Sequence, residues 1–317
     1  MSVAGTLPSH AQTSDSAANS YPSRPIRLIV PFSPGSSTND ILGRGIAMRL
    51  TTVLGQQVVV DNRAGAGGTS GSEIVAKAQP DGYTLLVAIA GPLTVAPAVY
   101  KQIGYDATRD FAAVAPVMTG GLVLAITAKL PPQNFREFVA YTKAQGGKVN
   151  AAIAGATGEI ATNAIKLMAG ANMNNVPYKG GIPAVIAVSA GESHMVLTNP
   201  SGVLPQIESG RLRALAVTGG KRESALPAVP TLIESGMDFT VDFWTGVFLP
   251  AQTPAAIVQA YAREIRRITA LPDVQSRLTG LGYQMMSGSA EEFAALVKRD
   301  AERYRKIIID SKMQQLE

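Results

Sequence analysis

The stretch from Ile26 to Leu50 most constrains the fold of this chain. A short apolar run, Ile26 to Val30, is followed by a loop rich in proline, glycine and serine, after which apolar residues recur at helical spacing. Ser37, with Asp40 three residues later, resembles a capping box and predicts a helix start near Thr38. A strand, a small-residue loop and a helix N-terminus together present free backbone N–H groups at the positive end of a helix dipole. The stretch predicts an anion-binding turn, and an ordinary βα turn explains it equally well when it is taken alone.

The same alternation of strand-like and helix-like segments continues along the chain. Apolar runs with strand character are followed by helical periodicity within 57–78, 149–169 and 194–209. Such alternation is typical of parallel sheets covered by helices. A chain of 317 residues is also long enough for two domains of ordinary size. The sequence therefore predicts an α/β fold in which two domains share more than one crossover.

The composition argues against several classes of function. The chain has no cysteine, which removes disulfides and cysteine-based metal sites, and its two histidines, His10 and His194, are too few to favour histidine-based catalysis. Its net charge of +5 is scattered along a sequence with few aromatic residues, which argues against nucleic-acid binding. No run of roughly 18 or more apolar residues is present that could span a membrane. We therefore expect no metal, no cofactor and no nucleic-acid partner.

Motifs that would indicate catalysis are incomplete. The segment from Gly65 to Gly71 is rich in glycine, but Ser70 stands where a dinucleotide-binding fingerprint needs its third glycine. The chain has neither a P-loop nor a Gly-x-Ser-x-Gly motif. Its hydroxyl-rich loops lack a neighbouring base that could activate a serine. This pattern indicates binding rather than turnover.

Four small-residue loops follow predicted strands, and each opens a helix or a turn. They are Phe32 to Thr38, Ala88 to Pro92, Gly155 to Glu159 and Leu197 to Ser201. In open α/β sheets, ligands bind outside the carboxyl ends of the strands. Packing and turn geometry explain each loop singly, whereas their coincidence favours a ligand held between two domains that close on it.

Six motifs in consistent order resemble the Bug family, the substrate-binding proteins of tripartite tricarboxylate transporters. They are YPSRPIRLIVPFSPG at 21–35, DNRAGAGG at 61–68, PDGYTLL at 80–86, VPYKGG at 176–181, GRLRALAVT at 210–218 and PAVPTLIESG at 227–236. The resemblance implies an α/β, two-lobed periplasmic-binding-protein (Venus flytrap) fold, with each lobe a mostly parallel sheet covered by helices. It also implies one lobe of residues 23–121 and 244–317 and a second lobe of residues 122–243. Residues 1–22 are polar and small without periodicity, which predicts a disordered tail, and the resemblance favours a signal-peptide remnant there.

The resemblance further implies a non-catalytic, monomeric periplasmic receptor for a small organic carboxylate. Integral membrane transporter subunits would receive the ligand, which backbone N–H groups, hydroxyls and bridging waters would hold in the cleft between the lobes. The ligand-binding positions that the resemblance implies in this sequence are Phe32, Ser33, Ser36, Ser37, Thr38, Ala90, Gly91, Pro92, Ala156, Thr157, Gly158, Glu159, Thr198, Asn199 and Trp244.

The second of the four small-residue loops, Ala88 to Pro92, departs from the family pattern. Residues 88–93 read AIAGPL, without the two hydroxyls and the imidazole that the family has in this region. Each buried polar group that a hydroxyl-rich ligand left unpaired against this apolar wall would cost about 1–3 kcal/mol. The departure therefore favours an aromatic or otherwise apolar-bodied mono- or dicarboxylate over a citrate-like ligand.

Three side chains have two interpretations each. Glu159 either faces the cleft, where it would repel an anion or select a cationic group, or lies in the first turn of a helix and points to solvent. His194 is either a packed or surface strand residue or a ligand contact. Trp244 either forms a wall of the cleft or anchors a strand at the hinge.

Two other functions remain open from the sequence. One is an enzyme, such as a hydrolase or lyase, that acts on a carboxylate through Ser33, Ser36 or Ser37. An unactivated serine is a weak nucleophile, which counts against this alternative. The other is a ligand sensor that signals to a membrane kinase instead of feeding a transporter.

Overall fold

The computed structural model describes residues 21–35, 38–153, 155–178 and 180–310 of the chain. The first part comprises β1 (Ile26–Val30), α1 (Thr38–Leu54), β2 (Val58–Asn62), a 3-10 turn (Ala66–Gly68), α2 (Thr69–Ala76), β3 (Thr84–Ile89), a π-helical turn (Gly91–Val95) that continues into α3 (Ala96–Val99), and β4 (Phe111–Gly121). The middle part comprises β5 (Val123–Thr127), α4 (Phe135–Ala144), β6 (Val149–Ile153), α5 (Gly155–Met168), β7 (Met173–Pro177), α6 (Gly181–Ala190), β8 (Met195–Thr198), α7 (Pro200–Glu208) and β9 (Leu212–Val217). The last part comprises β10 (Asp242–Pro250), α8 (Ala255–Thr269), α9 (Pro272–Gly280), β11 (Gln284–Met285) and α10 (Ala290–Asp310).

The strands of the described residues form two sheets. The first sheet has the strand order β11-β4-β10-β3-β1-β2, and the second has the order β7-β6-β8-β5-β9. Parallel pairing joins β1 to β2 and β3, and β6 to β7 and β8, whereas β10 pairs antiparallel with β3 and β4, β11 with β4, and β5 with β8 and β9. Most strands of each sheet therefore run in one direction, as predicted, but β5, β10 and β11 run against them and make both sheets mixed.

The connections explain the mixed pairing. A helix between two strands carries the chain back so that they run parallel, as in the βα units around β1 and β6. In contrast, β5 and β10 each enter their sheet from the other sheet, and both run against their neighbours. Two connections therefore cross between the sheets, one between β4 and β5 and one between β9 and β10.

Alternate residues of the central strands pack on opposite faces of each sheet. In β3, Leu85 and Val87 belong to one apolar cluster, and Leu86 and Ala88 belong to another. This period of two, with both faces apolar, is the signature of a strand covered by helices on both sides. The same alternation in β5 places the second sheet between two apolar layers.

Tyr21, the first described residue, packs against the segment that leads into β3. The Tyr21 hydroxyl donates a hydrogen bond of 2.7 Å to the Gly82 carbonyl oxygen, and its ring stands edge-on to Tyr83 at 5.0 Å. The predicted tail at residues 1–22 is therefore too long at its end, because aromatic packing fixes Tyr21. Residues 1–20, with the predicted signal-peptide remnant, lie outside the described residues. The division into lobes at residues 121/122 and 243/244 stays a prediction.

Candidate functional site

A buried polar network fixes the loop that follows β1. Asp40 is 2% exposed, and its Oδ2 accepts hydrogen bonds from the Gly35 N–H and from Arg44 Nε, both at 2.9 Å. Asn62 Nδ2 donates to Asp40 Oδ1 at 2.8 Å and to the Phe32 carbonyl oxygen at 2.9 Å. The side chain of Asn62, from the next strand, thus ties the beginning of the loop to the first turn of α1.

The charge of Asp40 belongs to this network. Burial alone would raise the pKa of its carboxyl, but the hydrogen bonds from Arg44, Gly35 and Asn62 outweigh burial and lower the pKa. The carboxylate is therefore charged and already satisfied by its neighbours, so its role is to hold the loop.

The predicted start of α1 at Thr38 is confirmed. Ser36 and Ser37, with the predicted cap, lie outside the described residues. The capping pattern accounts for Asp40 but not for Asn62, which belongs to the DNR sequence at the end of β2. The signal that could have found Asn62 is its place at the end of the strand next to β1.

Phe32 and Pro92 lie against the same glycine. A Cβ atom at Gly68, whose φ is +101°, would lie 3.4 Å from Phe32 Cζ and 3.3 Å from Pro92 Cγ. The left-handed backbone and the close contacts both favour glycine at this position. The structure thus brings Phe32 and Pro92 together, while Ser33, on the same loop as Phe32, is exposed.

The prediction of a loop at Ala88 to Pro92 is wrong, because these residues belong to a strand and a helical turn. Ala88 and Ile89 still belong to β3, and Gly91 opens a helical turn in which Gly91 and Pro92 are buried. Proline lacks an N–H group, so this helix start offers one donor fewer to an anion.

Two side chains fix this helical turn from within. Thr94 Oγ1 donates to the Ala90 carbonyl oxygen at 2.8 Å, and Tyr105 Oη donates to the Pro92 carbonyl oxygen at 2.5 Å. Thr94 is 0% exposed and Tyr105 is 6% exposed, so both hydrogen bonds lie in the protein interior. The turn is therefore a packed element in which the Ala90 and Pro92 carbonyl oxygens already have partners.

The segment Gly155 to Glu159 is the first part of α5 rather than a loop before it. Gly158 packs so closely on the end of β8 that a Cβ atom there would lie 2.9 Å from the Leu197 carbonyl oxygen. Ala156 and Thr157, on the same turn, are half-buried. The close approach of Gly158 to β8 therefore sets where this turn lies.

Helix starts from the two sheets meet at Gly91 and Thr157. A Cβ atom at Gly91, which opens the turn after β3, would lie 3.3 Å from Thr157 Oγ1 of α5. The turn follows a strand of the first sheet, and α5 follows a strand of the second. Two of the predicted binding segments are therefore in contact.

Glu159 lies beyond the first turn of α5, since the helix begins at Gly155. Its side chain is half-buried, and this burial raises the pKa of its carboxyl. The placement of Glu159 in the first turn is therefore wrong, and the residue is partly shielded from solvent. That it faces a ligand stays a prediction.

A chain of hydroxyl groups connects Thr38 to the start of α7. Tyr283 Oη donates to Thr38 Oγ1 at 3.0 Å and lies 2.8 Å from Ser201 Oγ. Burial raises the pKa of Tyr283, while hydrogen bonds with the side chains of Ser201, Thr38 and Asn199 act in the opposite direction. Sequence reasoning missed Tyr283, because a lone tyrosine after a helix carries no motif.

The polar residues at the end of β8 lie beside the starts of two helices. Thr198 is buried, and a Cβ atom at Gly181, the first residue of α6, would lie 2.9 Å from Thr198 Oγ1. Asn199 is half-buried at the start of α7, and its side chain makes no cap hydrogen bond to that helix. His194 lies at the opposite end of β8 from Thr198, where its Nδ1 accepts the Asn150 N–H at 2.9 Å. This hydrogen bond to a neighbouring backbone is the contact expected of a packed strand residue.

Trp244 is part of a packed core. The residue is 1% exposed, its Nε1 donates to Asp300 Oδ2 at 2.8 Å, and its ring stands edge-on to Phe293 at 5.2 Å. Both partners lie on α10, so Trp244 fixes that helix to β10. Of its two interpretations, the structure corresponds to the anchoring one.

Among the described residues, no group of three or more histidine, aspartate or glutamate side chains is arranged to hold a metal ion. Within the same residues, none of the helices combines the length and the apolar character that a membrane crossing requires.

Comparison with known proteins decides the family. Residues 42–313 match the family described as "Tripartite tricarboxylate transporter family receptor". The chain belongs to this receptor family.

Solved structures similar to this receptor are periplasmic binding proteins. BugD is 32% identical over 93% of the receptor and 100% of BugD, with a TM-score of 0.83. A protein of R. palustris solved with adipate is 29% identical, covers 92% of the receptor and 98% of its own chain, and has a TM-score of 0.84. MatC from Rhodopseudomonas palustris, solved with bound malate, is 29% identical over 91% of the receptor and 100% of MatC, with a TM-score of 0.83. The predicted Bug family and the periplasmic-binding-protein fold are confirmed.

Proposed function

We propose that this receptor captures a small, apolar-bodied organic carboxylate between its two sheets, in the periplasm, and delivers it to integral membrane subunits of a tripartite transporter. The lobes would be residues 23–121 with 244–317 and residues 122–243. The receptor would act as a monomer and would leave its ligand chemically unchanged. The ligand-binding positions would be those predicted from the sequence, apart from Trp244, with Asp40, Asn62 and Tyr283 holding them in place.

One observation carries the proposal: helix starts from the two sheets meet. Gly91 approaches Thr157 across the sheets, and Tyr283 connects Thr38 of α1 to Ser201 of α7. Helix N-termini present backbone N–H groups and a positive dipole end, which favours an anionic ligand without a buried arginine. Two sheets that meet through these small contacts are suited to closing around a ligand.

The buried segment around Pro92 supports an apolar body for the ligand. Ala90 and Leu93 are both 0% exposed, and Pro92 has no N–H to donate. The R. palustris protein and MatC were solved with adipate and malate, respectively. Of these two dicarboxylates, adipate has the longer apolar body and no hydroxyl that would need a buried partner. We therefore expect this receptor to prefer an adipate-like ligand to malate.

Thermal denaturation with matched ligands tests the proposal. Adipate should raise the melting temperature, because a ligand at 100 times its Kd stabilises the folded state by about 2.7 kcal/mol. The uncharged 1,6-hexanediol has the same six-carbon chain, with hydroxyl groups in place of the carboxylates, and should leave the melting temperature unchanged. Calorimetric titration with adipate, malate, benzoate and citrate then ranks the carboxylates, with adipate or benzoate expected to bind most tightly.

Two further measurements separate this proposal from its alternatives. NMR of the ligand after prolonged incubation should show the compound intact, whereas its consumption would establish an enzyme. Small-angle scattering should show a smaller radius of gyration at saturation. If no carboxylate shifts the melting temperature, or if hexanediol matches adipate, carboxylate capture is the wrong function.

A further inference from the structure

Tyr283 is held by the first sheet through its aromatic ring. The residue precedes β11, which pairs with β4 at Thr119 and Met118. It is 1% exposed, and its ring stands edge-on to Phe243 of β10 at 5.4 Å and 89°. These contacts use the ring and the backbone, so they do not depend on the hydroxyl group.

The backbone before Tyr283 is pressed against a helix of the second sheet. A Cβ atom at Gly282 would lie 2.7 Å from Pro200 Cβ and 3.3 Å from Leu204 Cδ1, both on α7. Gly282 also has a φ of +84°, which side chains rarely adopt, so both the space and the backbone require glycine. The chain therefore delivers Tyr283 to α7 in a fixed position.

The hydroxyl contacts have a defined direction. A phenol has one proton, and Tyr283 donates it to Thr38 Oγ1 at 3.0 Å. The 2.8 Å contact with Ser201 Oγ must then be a hydrogen bond that Ser201 donates to Tyr283. Thr38 accepts from Tyr283, so the Thr38 hydroxyl proton points away from Tyr283 and can be donated elsewhere. Successive hydrogen bonds of this kind polarise one another, which strengthens the last donor in the chain.

We infer that Tyr283 is a positioning residue for ligand binding: it aligns the Thr38 hydroxyl as a donor at the start of α1 and fixes the start of α7 against it. The inference rests on the proposed function, because it names the residue through which the two halves of that site are coupled. The coupling requires the phenol oxygen and not only the ring.

The variant Tyr283→Phe tests this role, because it keeps the ring against Phe243 and removes the hydroxyl. The matched control is Tyr261→Phe. Tyr261 is 2% exposed, and its hydroxyl donates to the Gly82 carbonyl and lies 2.9 Å from the Tyr21 hydroxyl, so this variant also removes a buried phenol oxygen. The partners of Tyr261 lie beside β1 and β3 of the first sheet and not on α7.

Calorimetry measures adipate binding to each variant, and the melting temperature of the unliganded protein is a separate measurement. Tyr283→Phe should weaken adipate binding about tenfold, or about 1.4 kcal/mol. Tyr261→Phe and Tyr283→Phe should lower the melting temperature by similar amounts. Only Tyr261→Phe should keep the Kd for adipate within about twofold of wild type. If Tyr283→Phe fails to fold, Ser201→Ala removes the donor on the other side and should weaken binding about two- to fivefold.

A double-mutant cycle distinguishes positioning from a general loss of stability. Thr38→Val removes the donor that Tyr283 is inferred to align, so Tyr283→Phe should cause little further loss of affinity in that background. The double variant should bind adipate within about twofold of Thr38→Val alone. Losses that simply add would show that Tyr283 does not act through Thr38.

The outcomes also separate the inference from the function on which it rests. If the wild-type receptor binds adipate and Tyr283→Phe binds it equally well, the positioning role is wrong and the receptor function stands. A Kd that changes equally in Tyr283→Phe and Tyr261→Phe shows a structural effect and also overturns the inference. If the wild-type receptor binds no carboxylate, the proposed function fails and the inference fails with it.

Discussion

The Thr218 hydroxyl accepts the N–H of Leu122 at 2.8 Å, and this hydrogen bond joins the residue after β9 to the residue before β5, where the chain crosses between the sheets. The same hydroxyl donates to the carbonyl oxygen of Val241 at 2.5 Å. Leu122 lies on the first connection that crosses between the sheets, and Val241 lies on the second. The Gly121 N–H donates to the Glu223 carboxylate beside them. The crossing chains are therefore bound to one another, and both sheets depend on the same few hydrogen bonds.

Removing the Thr218 hydroxyl should destabilise the fold. Thr218→Val keeps the shape of the side chain but leaves a buried N–H and a buried carbonyl without their partner. Each unpaired group costs about 1–3 kcal/mol, so the free energy of unfolding should fall by about 2–4 kcal/mol in urea titrations. Thr279→Val, at an exposed helical hydroxyl that bonds back to Gln275, is the control and should be nearly neutral. Equal stability of the two variants would contradict this account of the crossing.

Stability should depend on pH through Asp242, the first residue of β10. Burial raises the pKa of its carboxyl from 3.8 to about 6; Arg303 acts in the opposite direction, and Asp300 raises it further. A carboxyl with a raised pKa holds its proton more tightly in the folded state, so its contribution to stability grows as the pH falls from above 6 toward 4.

Asp242→Asn should therefore be more stable than wild type at pH 7 by about 1–3 kcal/mol, and this difference should shrink as the pH falls to about 4. Urea titrations across this pH range measure the change. Asp238→Asn, at an exposed aspartate earlier on the same connection, should follow the wild-type pH dependence. A constant difference between Asp242→Asn and wild type across this range would show that Asp242 does not titrate there.

The contact between Gly91 and Thr157 should control ligand binding more than folding. Gly91→Val places a branched side chain where even a Cβ atom would lie 3.3 Å from Thr157 Oγ1. The sheets can separate there without opening either core, so we expect adipate affinity to fall about tenfold or more with a loss of less than about 1.5 kcal/mol in unfolding free energy. Calorimetry and urea titration measure the two effects. Gly45→Val, where the added Cβ meets only Arg49 at 3.7 Å, should keep wild-type affinity.

Glu159 should make carboxylate binding pH-dependent. Burial raises the pKa of its carboxyl, so protonation removes a negative charge near the start of α5 as the pH falls. Adipate affinity should rise as the pH is lowered toward the raised pKa of this carboxyl, and Glu159→Gln should bind about three- to tenfold more tightly than wild type at a pH where Glu159 is charged. Calorimetry measures both, and Glu192→Gln, at an exposed glutamate, serves as the control for a general loss of charge. An unchanged Kd in Glu159→Gln would mean that its carboxyl does not face the ligand.

Much of the local structure could be predicted from the sequence. The apolar run Ile26 to Val30 forms β1, and α1 begins at Thr38 as its pattern indicates. Helix α4 follows Asn134, whose side chain caps it by accepting the N–H of Glu137 at 2.9 Å. These features depend on residues within a few positions of one another, which is the range over which apolar periodicity and capping act.

The tertiary structure decided features that no local pattern carries. The apolar residues Ala90 to Leu93 suit a loop or a buried helix equally well, and packing against α10 selects the helix. Trp244 is hidden because Asp300, 56 residues later, and Phe293 cover it. The direction of β5 and β10 follows from the two crossings between sheets, which the pattern of each strand taken alone does not reveal.

The family, the α/β class and the small-residue helix starts could be predicted from residue type and from spacing over a few positions. Which of those helix starts meet, which side chains hold them, and the place of Tyr283 between Thr38 and Ser201 depend on the assembled fold. Tyr283 and Thr38 are 245 residues apart along the chain, and a hydrogen bond between them exists only once both sheets have folded and met.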